Sequence, residues 1–184
     1  MGEIFVCKFQ LEDGSTTEYF SEQVSHHPPI SAVHVFNEKN KIEIRATVSP
    51  TAALHIFSNS ATISMKGAYH LKIGKDEIYE IIPPTILIKN IFWGKIKMGY
   101  TGKSSIICKK TGYRSEIEWN IDEIDVKIFD KGREISRIFG NLHKELELES
   151  HFNTIETFLD ITKQKPLKKE VISIPKFENE ESRK

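Results

Sequence analysis

The stretch Tyr113-Arg114-Ser115-Glu116-Ile117-Glu118-Trp119 and the nearby Ile124-Asp125-Val126-Lys127-Ile128 alternate apolar with charged residues almost without a break. Successive side chains of a β-strand point to opposite faces, so Tyr113, Ile117 and Trp119 oppose Arg114, Glu116 and Glu118. Upstream, Ile42, Ile44, Ala46 and Val48 face one way while Glu43, Arg45 and Thr47 face the other. One buried and one wetted face is the pattern of antiparallel strands; strands of a parallel sheet read as unbroken apolar runs. Turn residues punctuate the pattern at Asp13-Gly14, at 37–40, at 74–77, at Thr111-Gly112 and at 130–132. Many short strands at such spacing predict a mainly β chain, built as a large antiparallel meander or barrel.

Near residue 150 the period changes. Ile155, Phe158, Leu159 and Thr162 fall at helical spacing, and Asn153 with Glu156 fits a capping box. A short C-terminal helix is therefore expected over 153–162, ended by Pro166. Beyond it the chain is charged, closing on Glu178-Asn179-Glu180-Glu181-Ser182-Arg183-Lys184, and the last eighteen residues read as an exposed tail. The expected organisation is a ligand domain over 1–150, then a helix and charged tail over 151–184.

Composition narrows the function. The 184 residues carry 26 Lys+Arg against 26 Asp+Glu. No global field then favours nucleic acid or an anionic surface, and no nucleic-acid partner is expected. Cys7 and Cys108 fit no zinc or redox spacing and lie in apolar, strand-like surroundings, which predicts free thiols in a reducing compartment. No run of 18 apolar residues and no basic-then-apolar leader occurs, so a cytosolic protein is expected. Gly2 suggests myristoylation, but Val6 stands where Ser or Thr is required.

Catalytic patterns are missing as well. The seven histidines form no His-Glu-x-x-His, and no Cys-x-x-Cys accompanies them, so neither a metal nor another cofactor is expected. Tyr100-Thr101-Gly102-Lys103-Ser104 looks like the end of a phosphate-binding loop. Lys97 replaces the first glycine of that motif, and the flanks read as strands; a hairpin turn is the expectation. The apolar stretch 81–93, with Ile86, Leu87, Ile88, Ile91 and Phe92, suits either a filled core or the wall of an apolar cavity.

The most distinctive segment is Glu22-Gln23-Val24-Ser25-His26-His27-Pro28-Pro29-Ile30-Ser31-Ala32. Each proline disfavours the α region for the residue before it, so a stiff, extended segment is expected to hold the two imidazoles. Imidazole N–H groups donate hydrogen bonds, and the pair suits an anionic group such as a phosphate. As chemistry alone, His-His-Pro-Pro is also compatible with a plain loop at a strand edge.

The undecapeptide as a whole resembles the signature of the oxysterol-binding protein family, intracellular lipid-transfer proteins. Weaker similarity continues in Asn90-Ile91-Phe92-Trp93-Gly94-Lys95, Lys110-Thr111-Gly112 and Gly140-Asn141. The resemblance implies a β-barrel that encloses a sterol or a phosphoinositide tail and needs no catalytic step. It implies that His26 and His27 hold the inositol 4-phosphate headgroup, within a motif formed by Glu22, Gln23, Val24, Ser25, Pro28 and Pro29. The implied activity is non-covalent lipid capture and transfer, with transient membrane contact; the rival is an interaction module that captures no lipid.

Met1-Gly2-Glu3 and Glu181-Ser182-Arg183 resemble internal points of the longer family domain, so a partial, incomplete barrel is expected, able to self-associate through exposed strand edges. Lys97, Cys108 and Leu142 depart from the family pattern, which has tryptophan, asparagine and tryptophan there.

Overall fold

The structure is a computed structural model that describes residues 2–150 and 154–172. Strands β1 (Ile4–Gln10), β2 (Thr16–Ser25), β3 (Ile30–Asn37), β4 (Ile42–His55) and β5 (Ser60–Lys66) open the chain. There follow β6 (Tyr69–Ile73), β7 (Glu77–Ile82), β8 (Thr85–Lys89), β9 (Lys97–Ile107) and β10 (Tyr113–Ile121). The series closes with β11 (Glu123–Asp130), β12 (Arg133–Asn141), β13 (Glu145–Ser150), β14 (Ile155–Asp160) and β15 (Lys169–Ile172). The turns expected at 13–14, 37–40, 74–77, 111–112 and 130–132 fall where strands join, and every pairing whose register is defined is antiparallel.

The chain divides into two compact units. The first comprises Met1–Pro50, Lys66–Glu80 and Pro166–Lys184. Its strands run in the order β15-β1-β2-β3-β4-β6-β7. Register opposes Cys7 to Tyr19, Tyr19 to Val35, Val35 to Ile44 and Ile44 to Leu71. These five side chains share a face and form one largely apolar row, the unit by which a sheet is stabilised. The opposite face carries the row Val6, Phe20, His34, Arg45 and His70.

The second unit comprises Thr51–Met65 and Ile81–Lys165, with β5-β8-β9-β10-β11-β12-β13-β14 in order. There Ile117, Val126, Ile138 and Leu148 form the apolar row, with Ser104 at its end. The other face carries the charged row Glu116, Lys127, Arg137 and Glu149. The alternation read from 113–128 thus maps directly onto two faces. The buried apolar core is thin: Cys7 and Ala46 in the first unit, and Cys108, Ile117 and Leu146 in the second. Both cysteines are buried thiols outside any disulfide.

Three expectations need correction. The helix over 153–162 is instead strand β14, followed by a single 3-10 turn, Ile161–Lys163. The apolar spacing there fits a helical period, but hydrogen bonding to β13, with Leu146 opposite Leu159 and a register shift that skips Phe158, decides for the strand. Asp160 caps the 3-10 turn by accepting from the Thr162 amide. Within the expected tail, Lys169–Ile172 pairs with β1, opposing Val6 to Ile172 and Phe9 to Lys169. Finally, Tyr100 to Ser104 is not a hairpin turn but the interior of β9, which bends through Gly102 at φ 86°. Met1, His151, Asn153 and the charged segment 173–184 lie outside the described residues.

Polar side chains fix the register at the turns. Asn37 is 3% exposed, and its amide donates to Ser15 Oγ at 2.9 Å and to Thr17 Oγ1 at 3.1 Å. Its Oδ1 accepts from the Asn40 amide. Asp13 accepts from the Ser15 amide at 2.8 Å and from Asn40 Nδ2 at 3.1 Å. Together these bonds join the β1–β2 turn to the β3–β4 turn. In the second unit Gly140 lies in mid-strand at φ 146°, where a Cβ would meet the Glu145 carbonyl oxygen at 2.4 Å. Only glycine allows β12 and β13 to approach so closely.

Two outcomes follow. Gly140→Ala forces a Cβ into backbone at a left-handed φ, a strain of about 1–3 kcal/mol before any clash is counted. Thermal unfolding should shift down by at least about 2 °C, and a Tm unchanged from the parent would contradict the packing. Asp13 is held down to about 2 from 3.8 by the Ser15 hydroxyl and amide, then by Asn40 and Lys39. A lowered folded-state pKa stabilises above the unfolded value and is lost as pH falls through the folded one. Asp13→Ala should therefore lower Tm by a constant amount from pH 5 to 7, with the gap narrowing from about pH 4 down to 2. A gap independent of pH would count against the ionised carboxylate.

Candidate functional site

The segment 22–32 forms the hairpin between β2 and β3. Glu22 and Gln23 are half-buried strand residues, with Glu22 opposite both Ile4 and Ala32. Two backbone bonds hold the strand from the β1 side: Gly2 N donates to Gln23 O, and Gln23 N donates to Glu3 O, each at 2.9 Å. Register then slips between Gln23 and Ser25, so Val24 is an extra, exposed residue and Ser25 pairs with Ile30. Such a bulge sharpens the local twist and re-aims the residues beyond it.

Those residues are His26, His27, Pro28 and Pro29, which form the turn itself. The expected stiff extended run is corrected here, because a four-residue connection between antiparallel neighbours has to reverse the chain. The His27-Pro28 peptide is cis. All four residues are exposed, and the two imidazole centroids lie 4.3 Å apart at an interplanar angle of 51°. The turn presents two neighbouring rings to solvent, each with N–H donor capacity. Among the described residues no group of three His, Cys, Asp or Glu is arranged to hold a metal.

A second polar array was not anticipated from sequence. On the face of the first unit that carries Phe20, the residues His34, Arg45 and His70 stand opposite one another on β3, β4 and β6. Glu43 in the neighbouring row accepts from His34 Nε2 at 2.8 Å and from Arg45 Nε at 2.7 Å. Arg45 first, then His34, holds the Glu43 carboxyl below the usual carboxylate range. His34 also stacks on Phe36, with centroids 5.2 Å apart. Its sequence signal was the register itself, which no local pattern reveals. With Glu43 at its centre the array is internally neutralised.

The remaining family-like stretches are turn architecture. Asn90 to Lys95 is the β8–β9 connection, anchored by Asn59. Gly112 closes the β9–β10 turn by donating to the Cys108 carbonyl at 3.0 Å. Asn141 caps the β12–β13 turn, with Oδ1 accepting from the His143 amide at 2.9 Å. Of the departures from the family pattern, Lys97 opens β9 on the surface, Cys108 is fully buried, and Leu142 donates its amide to Asp122 O.

An almost wholly antiparallel sheet with an imidazole pair at one hairpin defines the class: a β-meander domain built around the His-His-Pro-Pro turn. The chain belongs to the oxysterol-binding protein family, whose sequence model matches residues 1–183. Oxysterol-binding protein 10 of Dictyostelium discoideum is 38% identical over 120 residues, which is 65% of this chain and 30% of that protein. Human oxysterol-binding protein-related protein 5 is 31% identical over 144 residues, 77% of this chain and 16% of that protein. The chain therefore spans less than a third of the length of these relatives.

Among solved structures, the Osh1 ORD domain in complex with ergosterol superposes with a TM-score of 0.75 at 20% identity. That match covers 90% of this chain and 45% of the other. The Osh3 ORD in complex with PI(4)P from Saccharomyces cerevisiae gives 0.71 at 22% identity, over 88% of this chain and 44% of that one. At such identities the likeness establishes the shared fold.

Proposed function

We propose that this chain is a non-enzymatic lipid-binding domain that takes up a sterol or phosphatidylinositol 4-phosphate and carries it between membranes from the cytosol. The observation that carries the reading is the exposed imidazole pair of His26 and His27 at the hairpin, inside an unbroken match to the family motif. Residues 1–150 form a partial ligand domain, part of the barrel of the longer family members. The relatives solved with ergosterol and with PI(4)P support the ligand class.

The chemistry is capture without covalent change. Apolar rows such as Ile117, Val126, Ile138 and Leu148 would shield the lipid, each Å² of apolar area removed from water contributing roughly 25 cal/mol. His26 and His27 would donate to the phosphate, where hydrogen bonds to an ionised acceptor are shorter and stronger than neutral ones. Glu22, Gln23, Val24 and Ser25 shape the strand and bulge that aim the pair, and Pro28 and Pro29 restrict the turn. No helix among the described residues is long and apolar enough to cross a membrane.

A second reading, a module acting through an exposed strand edge, draws on β14. Among the described residues that strand lies at the end of the sheet beside β13, and Ile155 and Phe158 on it are exposed. Edge strands of this kind template pairing with another chain. Self-association through β14 would appear in sedimentation velocity as a concentration-dependent mass, abolished by Phe158→Lys.

Replacing both His26 and His27 by Ala should leave folding and sterol uptake largely unchanged while removing phosphoinositide binding. Two hydrogen bonds to a charged group are worth about 3–6 kcal/mol, a loss of at least about 100-fold. Extraction of labelled phosphatidylinositol 4-phosphate and labelled sterol from liposomes measures both arms. An unchanged phosphoinositide affinity in the double variant would falsify the headgroup assignment.

A further inference from the structure

We propose that residues 56–59 and 90–96, the β4–β5 and β8–β9 turns of the second unit, form one docking tip that inserts into an anionic lipid surface. The proposal is separate from lipid capture at the His26-His27 turn and requires no bound ligand.

Asn59 makes the two turns one structure. It is 7% exposed and sits in the left-handed region at φ 49°. Its amide donates to the Ile56 carbonyl at 3.1 Å and closes the first turn. Its own carbonyl accepts from the Asn90 amide at 2.7 Å, and its Oδ1 accepts from the Phe92 amide at 2.8 Å. Its Nδ2 donates to the Trp93 carbonyl at 2.9 Å. Within the second turn Asn90 Nδ2 donates to Lys95 O at 2.9 Å. One buried side chain therefore bonds the backbone of the facing turn at two successive residues.

That frame holds apolar side chains out to water. Phe57 is fully exposed, and Ile56, Trp93 and Ile96 are each more than 60% exposed. Phe92 lies beside Trp93, ring centroids 5.9 Å apart, itself half exposed. Scattered apolar residues on a surface are ordinary, whereas a contiguous group on rigid turns marks an interaction site. Hydrogen bonds centred on the buried Asn59 fix these turns, so little ordering entropy is lost when the side chains enter a second medium.

Charge identifies the medium. Lys89 and Lys97 stand directly opposite each other where β8 and β9 enter the second turn, and Lys95 follows within it. All three are exposed, and among the described residues none has a carboxylate within ion-pair distance. Like charges directly opposite across a ladder repel. An array of anionic headgroups would relieve that repulsion while Phe57 and Trp93 enter the acyl boundary. Tryptophan and basic residues beside an apolar group are the combination that settles at such an interface.

The test uses the 184-residue chain and vesicles free of sterol and phosphoinositide, made of phosphatidylcholine alone or with phosphatidylserine. The protein should co-sediment with the phosphatidylserine vesicles, and bromine-labelled acyl chains should quench Trp93 emission. Phe57→Ser with Trp93→Ser should reduce the bound fraction at least about tenfold, as expected when two aromatic anchors leave the apolar phase. Lys89→Glu with Lys97→Glu should abolish the preference for phosphatidylserine. His26→Ala with His27→Ala should bind these vesicles like the parent, which separates failure here from failure of the headgroup assignment.

Phe57 is fully exposed, so Phe57→Ser alone should melt like the parent and serves as the fold-neutral variant. The proposal is overturned if the parent ignores both vesicle types, or if the serine variants bind as well as the parent. It is equally overturned if those variants change the sedimenting mass and leave vesicle binding intact, since the tip would then pair with a second copy.

Discussion

Everything functional in this chain depends on antiparallel register. A slip of one residue carries an entire strand's side chains to the opposite face. In the first unit that slip would exchange the row of Cys7, Tyr19, Val35 and Ile44 with the row of Phe20, His34 and Arg45. The register is held at turns by buried asparagines, Asn37 in one unit and Asn59 in the other. An amide suits the task because it donates and accepts at once, so it can satisfy an N–H and a carbonyl of a neighbouring turn. Aspartate would lack the donor, and glycine would lack both groups.

This reliance on turns follows from how little is buried. Among the described residues the largest fully buried side chains are those of Cys7 and Cys108, small and apolar, while Phe5, Phe20, Ile78 and Ile82 remain exposed. With so thin a core, ladder hydrogen bonds and half-buried cross-strand pairs do much of the work that interior packing does elsewhere. Surface ion pairs such as Lys103 with Glu118 add little, because both groups remain solvated. Apolar rows left in contact with water are a liability in a protein that must only persist. They are a resource in one that must exchange lipid, where the side chains that shield a ligand have to be reachable.

Much of the fold was legible because period two and period 3.6 differ plainly when one face is charged. Glu116 and Glu118 beside Ile117 and Trp119 admit only a strand, and the structure agrees. Residues 155–162 read as a helix because Ile155, Phe158 and Leu159 fit the helical period; pairing with β13, through a register shift that skips Phe158, overrides that period. Strand β15 exists through its partner β1, a contact no local pattern encodes. Of the candidate site, the adjacency of His26 and His27 was legible, but their backbone was not. The proline rule acts on single residues and favours extension, whereas the β2–β3 hairpin demands a reversal at that place. The Asn59 anchor was hidden for a similar reason, since its partners are more than thirty positions away.

Selection and adhesion call for different physics, and the two proposed sites draw on different residues. Recognition of a phosphate is directional: imidazole N–H groups have to meet oxygen lone pairs at hydrogen-bond distance, so the pair sits on a short turn fixed by β1 on one side and β3 on the other. Insertion into a lipid surface is non-directional and scales with apolar area, so it tolerates Ile56, Phe57, Trp93 and Ile96 in whatever order the turns present them. It needs only that the side chains cannot fold back, which the Asn59 bonds ensure. Because the two proposed sites share no residue, substitution at the histidine turn would alter headgroup choice while substitution at the tip would alter membrane affinity. A single site serving both would tie the strength of adhesion to the identity of the cargo, and release at a second membrane would then oppose docking there.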